Sequence, residues 1–179
     1  IAQVAAAAGF QVQLLDVDEK LAVRAKERID GALAGQVKKG KLEDKVRIET
    51  VSRITPIQRF AQLGNAQLVI EAAIEDVNIK SEIFRQAQAV ISEDAILASN
   101  TSSIPITKLA AATRHPERFI GLHFMNPPPL MRLVEIIRGL QTSDETAEQA
   151  RSVTEKLGKV IVSASDMPGF IVNRMLIPF

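Results

Sequence analysis

Short apolar runs alternate with amphipathic helical stripes along almost the whole chain, and that alternation limits the fold more than any other feature. The runs are residues 11–15, 67–73, 95–99, 119–124, 132–137 and 159–163. They read as strands. Between them, Ile1, Val4, Ala5 and Ala8 share one helical face closed by Gly9. Asp18 is placed to cap a helix whose stripe runs through Leu21, Ala25, Ile29, Ala32 or Leu33, and Val37 to about Gly40. Val77 to Ile91 predicts a helix burying Ile79, Ile83, Phe84, Ala87 and Val90 or Ile91, and Ile104 to Ala112 a shorter one. Thr142 and Glu145 fit a capping box for a helix closed by Gly158, and Pro168-Gly169 opens a last helical segment running to Phe179. Residues 46–54 fit a further strand through Val46, Ile48, Val51 and Ile54, and Thr55-Pro56 fits the N-cap and first position of a short helix to about Leu63. Strands alternating with helices in this way predict an α/β protein built on a doubly wound, mostly parallel sheet.

Composition narrows the function. The 179 residues suffice for one ordinary domain and little more, and 46% hydrophobic with 24% charged residues is the balance of a globular protein with a real core. A formal charge of +1 gives no global field to attract nucleic acid or an anionic membrane. Cys is absent, which removes disulfides and thiolate metal sites. No apolar run approaches the roughly 18 residues of a spanning helix. The chain opens at Ile1, inside what reads as a helix, so it is expected to be a piece of something longer.

Two of the apolar runs carry a polar residue that a bare core would not want. His123 follows Phe119-Ile120-Gly121-Leu122, where the run meets a proline-rich turn, and Glu135 lies between Val134 and Ile136. A buried carboxylate needs a partner, because an unpaired charge there costs several kcal/mol. An imidazole held by such a carboxylate has a fixed tautomer and suits a general base. The other reading is a satisfied core histidine with a glutamate facing solvent from an edge strand. The second histidine, His115, lies between Arg114 and Pro116 in a polar loop where no function is expected. No further His or Cys stands at ligand spacing, so no metal site is expected.

In a doubly wound sheet ligands bind beyond the carboxyl ends of the strands. Asp16, the Ala73-Ile74-Glu75 corner, Asn100 to Ser103, and His123 all fall at or just past such ends. An acid at the end of the second strand of a dinucleotide fold grips the adenosine ribose hydroxyls, so Asp16 is a candidate for that contact. The matching glycine-rich turn would lie about 20 residues upstream, before Ile1. Ser102 sits in nothing like a nucleophile elbow, and a hydroxyl donor toward substrate or nicotinamide is the better reading.

Gly121-Leu122-His123-Phe124-Met125-Asn126-Pro127-Pro128, Leu133-Val134-Glu135-Ile136-Ile137, Ala98-Ser99-Asn100-Thr101-Ser102-Ser103 and Asp166-Met167-Pro168-Gly169-Phe170-Ile171-Val172-Asn173-Arg174 together resemble the L-3-hydroxyacyl-CoA dehydrogenases, motif by motif and in the same order. The resemblance covers essentially the whole chain. It implies a Rossmann-type domain at residues 1–166, lacking its first strand and glycine turn, and the start of a C-terminal helical domain at 167–179. It also implies NAD as cofactor and oxidation of the 3-hydroxyl of an acyl-CoA. By that resemblance His123 is the general base and Glu135 its orienting carboxylate, while Ser102 and Asn173 contact the substrate oxygen and support the histidine. Asp16, Glu75, Lys80, Asn100, Ser102 and Asn126 match cofactor contacts, and Lys38 and Lys39, at the basic end of the long helix, match contacts to CoA phosphates. The family further implies a cytoplasmic protein that dimerises through its C-terminal domain, without nucleic-acid or membrane partners. Two other classes remain open: a non-catalytic nucleotide-binding member of the fold, and an NAD(P)-dependent hydroxyacid dehydrogenase that does not use CoA.

Overall fold

The computed structural model describes residues 1–176. The chain divides into two compact units, residues 1–62 and Leu63 onward.

The first unit contains α1 (Ala2–Ala7), β1 (Val12–Leu15), α2 (Glu19–Lys38), α3 (Asp44–Ser52) and β2 (Ile54–Ile57). The two strands pair in parallel, Val12 opposite Ile54 and Leu15 opposite Ile57. Asp18 caps α2 as expected, its carboxylate accepting the Lys20 N–H at 2.9 Å, and α2 buries Ala22 and Leu33. Residues 46–54 are not the expected strand. Val46 and Ile48 are 41% and 54% exposed, so their alternation marks no buried face. Charges at helical spacing mark α3 instead: Arg47 donates to Asp44 at 2.6 Å, while Lys45 and Arg53 each lie four residues from Glu49 and within 4.0 Å of its carboxylate. Thr55-Pro56 is likewise no helix start. Pro56 lies within β2 opposite Leu14, and among the described residues β2 pairs with β1 alone, so a missing N–H is tolerated. A 3₁₀ turn at Phe60–Leu63 stands where the helix was expected.

The second unit contains β3 (Leu68–Glu71), α4 (Val77–Gln88), β4 (Ile96–Ser99), α5 (Ile106–Ala110), β5 (Phe119–Phe124), β6 (Leu133–Ile137), α6 (Asp144–Lys156), β7 (Val160–Ala164) and α7 (Val172–Leu176). Its sheet runs β3-β4-β5-β6-β7, parallel throughout except between β5 and β6. Every residue of β4 and β5 is buried, as in strands covered on both faces. Phe84 of α4 meets Phe119 of β5 edge-on, with ring centroids 4.7 Å apart. A Cβ on Gly121 would come within 2.8 Å of Ile106 Cδ1 and 2.9 Å of Ile137 Cβ, so only glycine lets α5 seat directly on the middle of β5.

Three helix details depart from expectation. The buried face of α4 is Lys80, Phe84 and Ala87, whereas Ile79 is 42% exposed, and the helix ends at Gln88 rather than Ile91. The cap of α6 is Ser143, whose Oγ accepts the Thr146 N–H at 3.1 Å. Thr142 instead donates its hydroxyl to the Phe119 carbonyl at 2.7 Å, fastening the loop before α6 to β5. The last helix starts at Val172, after Gly169 and Phe170 with φ of 79° and 46°. Its expected continuation to Phe179 includes residues 177–179, which lie outside the described residues. Among the described residues no helix is long and apolar enough to cross a membrane.

Candidate active site

The antiparallel register of β5 and β6 sets His123 directly opposite Glu135. His123 Nδ1 lies 2.6 Å from Glu135 Oε2, with both side chains buried. The other oxygen, Oε1, accepts the backbone N–H groups of Ile171 at 2.8 Å and Val172 at 3.0 Å. Charge-assisted bonds of this kind offset the cost of burying a carboxylate. An ionised Glu135 can only accept, which puts an N–H on Nδ1 and leaves Nε2 as the ring nitrogen turned away from the pair. Among the described residues every buried side-chain N or O has a partner, and His123 Nε2 has none. The Nε2 edge is therefore open to the surface. Phe170, left-handed at φ 46°, places its ring centroid 5.7 Å from the imidazole. That conformation costs a non-glycine residue about 1–3 kcal/mol, and here it brings the following two N–H groups to Glu135.

The loop after β4 sits beside this pair. Asn100 Oδ1 accepts the Phe124 N–H at 2.9 Å, tying the end of β4 to the end of β5. The Ser102 carbonyl accepts from Asn173 Nδ2 at 3.3 Å. Glu75 Oε1 accepts from Thr101 Oγ1 at 2.5 Å, from the N–H groups of Ser102 and Ser103 at 2.8 and 3.0 Å, and from Ser103 Oγ at 3.1 Å. Partial burial pushes the Glu75 carboxyl upward, but the Thr101 hydroxyl, the Ser102 N–H, the Lys80 ammonium and Ser103 outweigh it and hold the group below the ordinary value of 4.5. Lys80 is itself 1% exposed and points inward. Its Nζ reaches Glu71 Oε1 at 2.7 Å, the Ala73 carbonyl at 3.2 Å and Glu75 Oε2 at 3.4 Å.

Asn126 is exposed just past β5, before a cis peptide bond to Pro127. Lys159 holds this turn, donating to the carbonyls of Pro128 at 2.5 Å and Met131 at 2.9 Å, and burial lowers its pKa. Asp166 fastens the segment that leads to α7. Its carboxylate accepts the N–H groups of Ile106 at 2.6 Å and Thr107 at 2.8 Å and the Thr107 hydroxyl at 2.5 Å. The sequence reading did not single out Glu71 or Lys159. Glu71 carried the same signal as Glu135, an acid inside an apolar run, and Lys80 falls on the buried stripe with Phe84 and Ala87.

The second unit thus gathers His123, Glu135, Asn173, Ser102, Asn100, Glu75 and Lys80 into linked contacts. Asn126 also lies in the second unit, outside these contacts, and the other candidates belong to the first unit. Asp16 is exposed at the end of β1 with its Oδ1 accepting the Val17 N–H at 2.7 Å, and Lys38 and Lys39 are exposed at the end of α2. Among the described residues the second Asp16 carboxylate oxygen has no partner, as a ribose diol contact requires, and the Asn100 amide N–H groups have none either. Taken unit by unit, an exposed carboxylate acceptor in the first and amide donors in the second each suit a contact to a dinucleotide.

Residues 1–167 match the family model described as the NAD binding domain of 3-hydroxyacyl-CoA dehydrogenase. The chain belongs to the 3-hydroxyacyl-CoA dehydrogenase family. Within that family it is 48% identical over 178 residues to a 3-hydroxybutyryl-CoA dehydrogenase of Bradyrhizobium diazoefficiens, covering 99% of this chain and 61% of the relative. It is 42% identical to the 3-hydroxyadipyl-CoA dehydrogenase of Escherichia coli, covering 100% of this chain and 38% of that one. The crystal structure of (S)-3-hydroxybutyryl-CoA dehydrogenase from Ralstonia eutropha superposes with a TM-score of 0.96 at 41% identity, over 99% of this chain and 62% of that one. The Rossmann-like α/β fold is shared. The chain spans about three fifths of the length of the first of these relatives.

Proposed function

We propose that this chain is the cofactor-binding part of an NAD-dependent dehydrogenase that oxidises the 3-hydroxyl of an L-3-hydroxyacyl-CoA to the ketone, and runs in reverse with a 3-oxoacyl-CoA. The observation that carries the reading is the buried His123–Glu135 pair, with the free Nε2 edge of the imidazole turned to the surface. NAD⁺, when bound, supplies the hydride acceptor. Asp16, Asn100, Ser102, Asn126 and Glu75 would hold it, with Lys80 behind Glu75.

His123 Nε2 takes the proton of the substrate hydroxyl as the carbonyl forms, and returns it in the reverse direction. Glu135 fixes the ring and stabilises the imidazolium so produced, at a site where low dielectric strengthens their attraction. Ser102 offers its hydroxyl to the substrate oxygen, and Asn173 holds the Ser102 backbone in place. Lys38 and Lys39 are exposed cations suited to CoA phosphates. The same reading makes the whole protein a cytoplasmic homodimer with an acyl-CoA substrate.

The test is NADH oxidation by the whole protein with acetoacetyl-CoA, set beside free acetoacetate. Turnover with the thioester alone is the expected result. Turnover of both at equal efficiency would move the assignment to a hydroxyacid dehydrogenase, and turnover of neither would remove the catalytic reading.

A further inference from the structure

Glu71 closes β3 and is 4% exposed, yet no step above uses it. Its side chain is fully engaged. Oε1 accepts from Lys80 Nζ at 2.7 Å and from the Ala73 N–H at 2.5 Å, and Oε2 accepts the Ser99 hydroxyl at 2.7 Å. Ser99 is its register partner on β4, and the Glu71 carbonyl accepts the Asn100 N–H at 2.8 Å. One residue therefore touches α4, the corner after β3 and the start of the Asn100–Ser103 loop.

An ammonium has three N–H donors. Those of Lys80 meet Glu71, the Ala73 carbonyl and Glu75, all within the protein. No donor is left for an outside ligand. Glu75 is the outer carboxylate of the two that share this cation, with its Oε2 toward Lys80 and its Oε1 collecting Thr101, Ser102 and Ser103. The side chains form a relay from the strand interior to the loop that carries Ser102.

We propose that Glu71 is a positioning residue: it divides the attraction of Lys80 so that Glu75 stays turned toward the Thr101–Ser103 loop, and Lys80 acts on the cofactor edge through Glu75. The proposal rests on the dehydrogenase reading for its catalytic consequence and on geometry alone for its structural one. With Glu71 neutral, Lys80 has one anion left and draws Glu75 inward, off the Ser102 and Ser103 N–H groups.

The experiment uses the whole protein as wild type, Glu71→Gln, and the double variant Glu71→Gln/Lys80→Met. Thermal stability, amide exchange at residues 101–103 and NADH oxidation with acetoacetyl-CoA are measured on each. Glu71→Gln should speed exchange at Ser102 and Ser103 by about tenfold and raise the KM for NADH by a similar factor, with kcat changed far less, the loss of about one charge-assisted bond. The double variant also removes the cation that would draw Glu75 inward, so exchange at Ser102 and Ser103 should return toward the wild-type rate along with much of the lost Tm. Recovery of Tm in the double variant with exchange still fast would reduce Glu71 to a structural charge partner and overturn the proposal. Unchanged exchange in both variants would also overturn it. The exchange measurement needs no catalysis, so a wild type without turnover refutes the dehydrogenase reading and leaves the exchange data to decide this one.

Discussion

Glu135 Oε1 lies 3.0 Å from the backbone nitrogen of Val172, so the carboxylate that holds His123 is itself held by the start of α7. One carboxylate joins three parts of the chain: β5 through the imidazole, β6 through its own backbone, and the Gly169–Val172 turn through two N–H groups. In Glu135→Gln one side of the amide becomes a donor and must oppose either the imidazole N–H or these backbone N–H groups. Turnover with acetoacetyl-CoA should fall by roughly 100-fold, the scale of general base catalysis, with NADH affinity nearly unchanged. Steady-state kinetics beside a fluorescence titration with NADH would show it, and near-normal kcat would remove the role. His123→Gln should lose at least as much.

Gly121→Ala should destabilise the protein by about 1–3 kcal/mol, the range for overpacking a filled core. The new methyl must displace the side chain of Ile106 or of Ile137. Urea unfolding measures the loss, and a neutral result would mean that α5 can lift off the sheet freely.

Asp166→Ala removes every side-chain acceptor at the start of α5. Loss of such a cap costs about 1 kcal/mol. A second effect separates Asp166 from an ordinary cap: amide exchange at Ile171 and Val172 should rise, because the segment leading to them is no longer anchored. Protection unchanged at those two amides would contradict this.

Glu75 provides a pH signature. Its folded pKa lies below the ordinary 4.5, because the bonds to Thr101, Ser102, Lys80 and Ser103 outweigh burial. A carboxyl depressed on folding stabilises the native state fully above its unfolded pKa, and that contribution disappears as pH falls through the folded value. Glu75→Gln should therefore lower Tm near neutral pH and differ progressively less from wild type below about pH 4.5. Thermal scans across that range test the sign; a gap that widens on acidification would contradict it.

Most of the second unit was legible because its inner strands β4 and β5 are buried on both faces and so appear as apolar runs. The misread segments share one cause, local patterns that tertiary contacts overrule. Val46 and Ile48 imitate strand alternation, while the charges at 44, 45, 47, 49 and 53 carried the helical spacing. Thr142 and Ser143 are adjacent hydroxyl residues of equal capping propensity, and the Phe119 carbonyl claims the first. Lys80 matched a cofactor contact, and its burial against Glu71 was not legible because that partner lies on another element. The meeting of His123 and Glu135 was legible, since each is a polar residue stranded in an apolar run. The N–H groups of Ile171 and Val172 that complete the carboxylate's shell were not, because a backbone donor leaves no mark in sequence.

The antiparallel pairing of β5 with β6 has a consequence for how such a chain can drift over evolutionary time. Because His123 and Glu135 are direct cross-strand neighbours, the turn between Phe124 and Leu133 can gain or lose residues while the two side chains stay opposed. A single insertion within either strand would instead turn one partner to the opposite face of the sheet. Length variation is thereby steered into the turn, next to the chemistry, where it can reshape what the imidazole meets without disarming it.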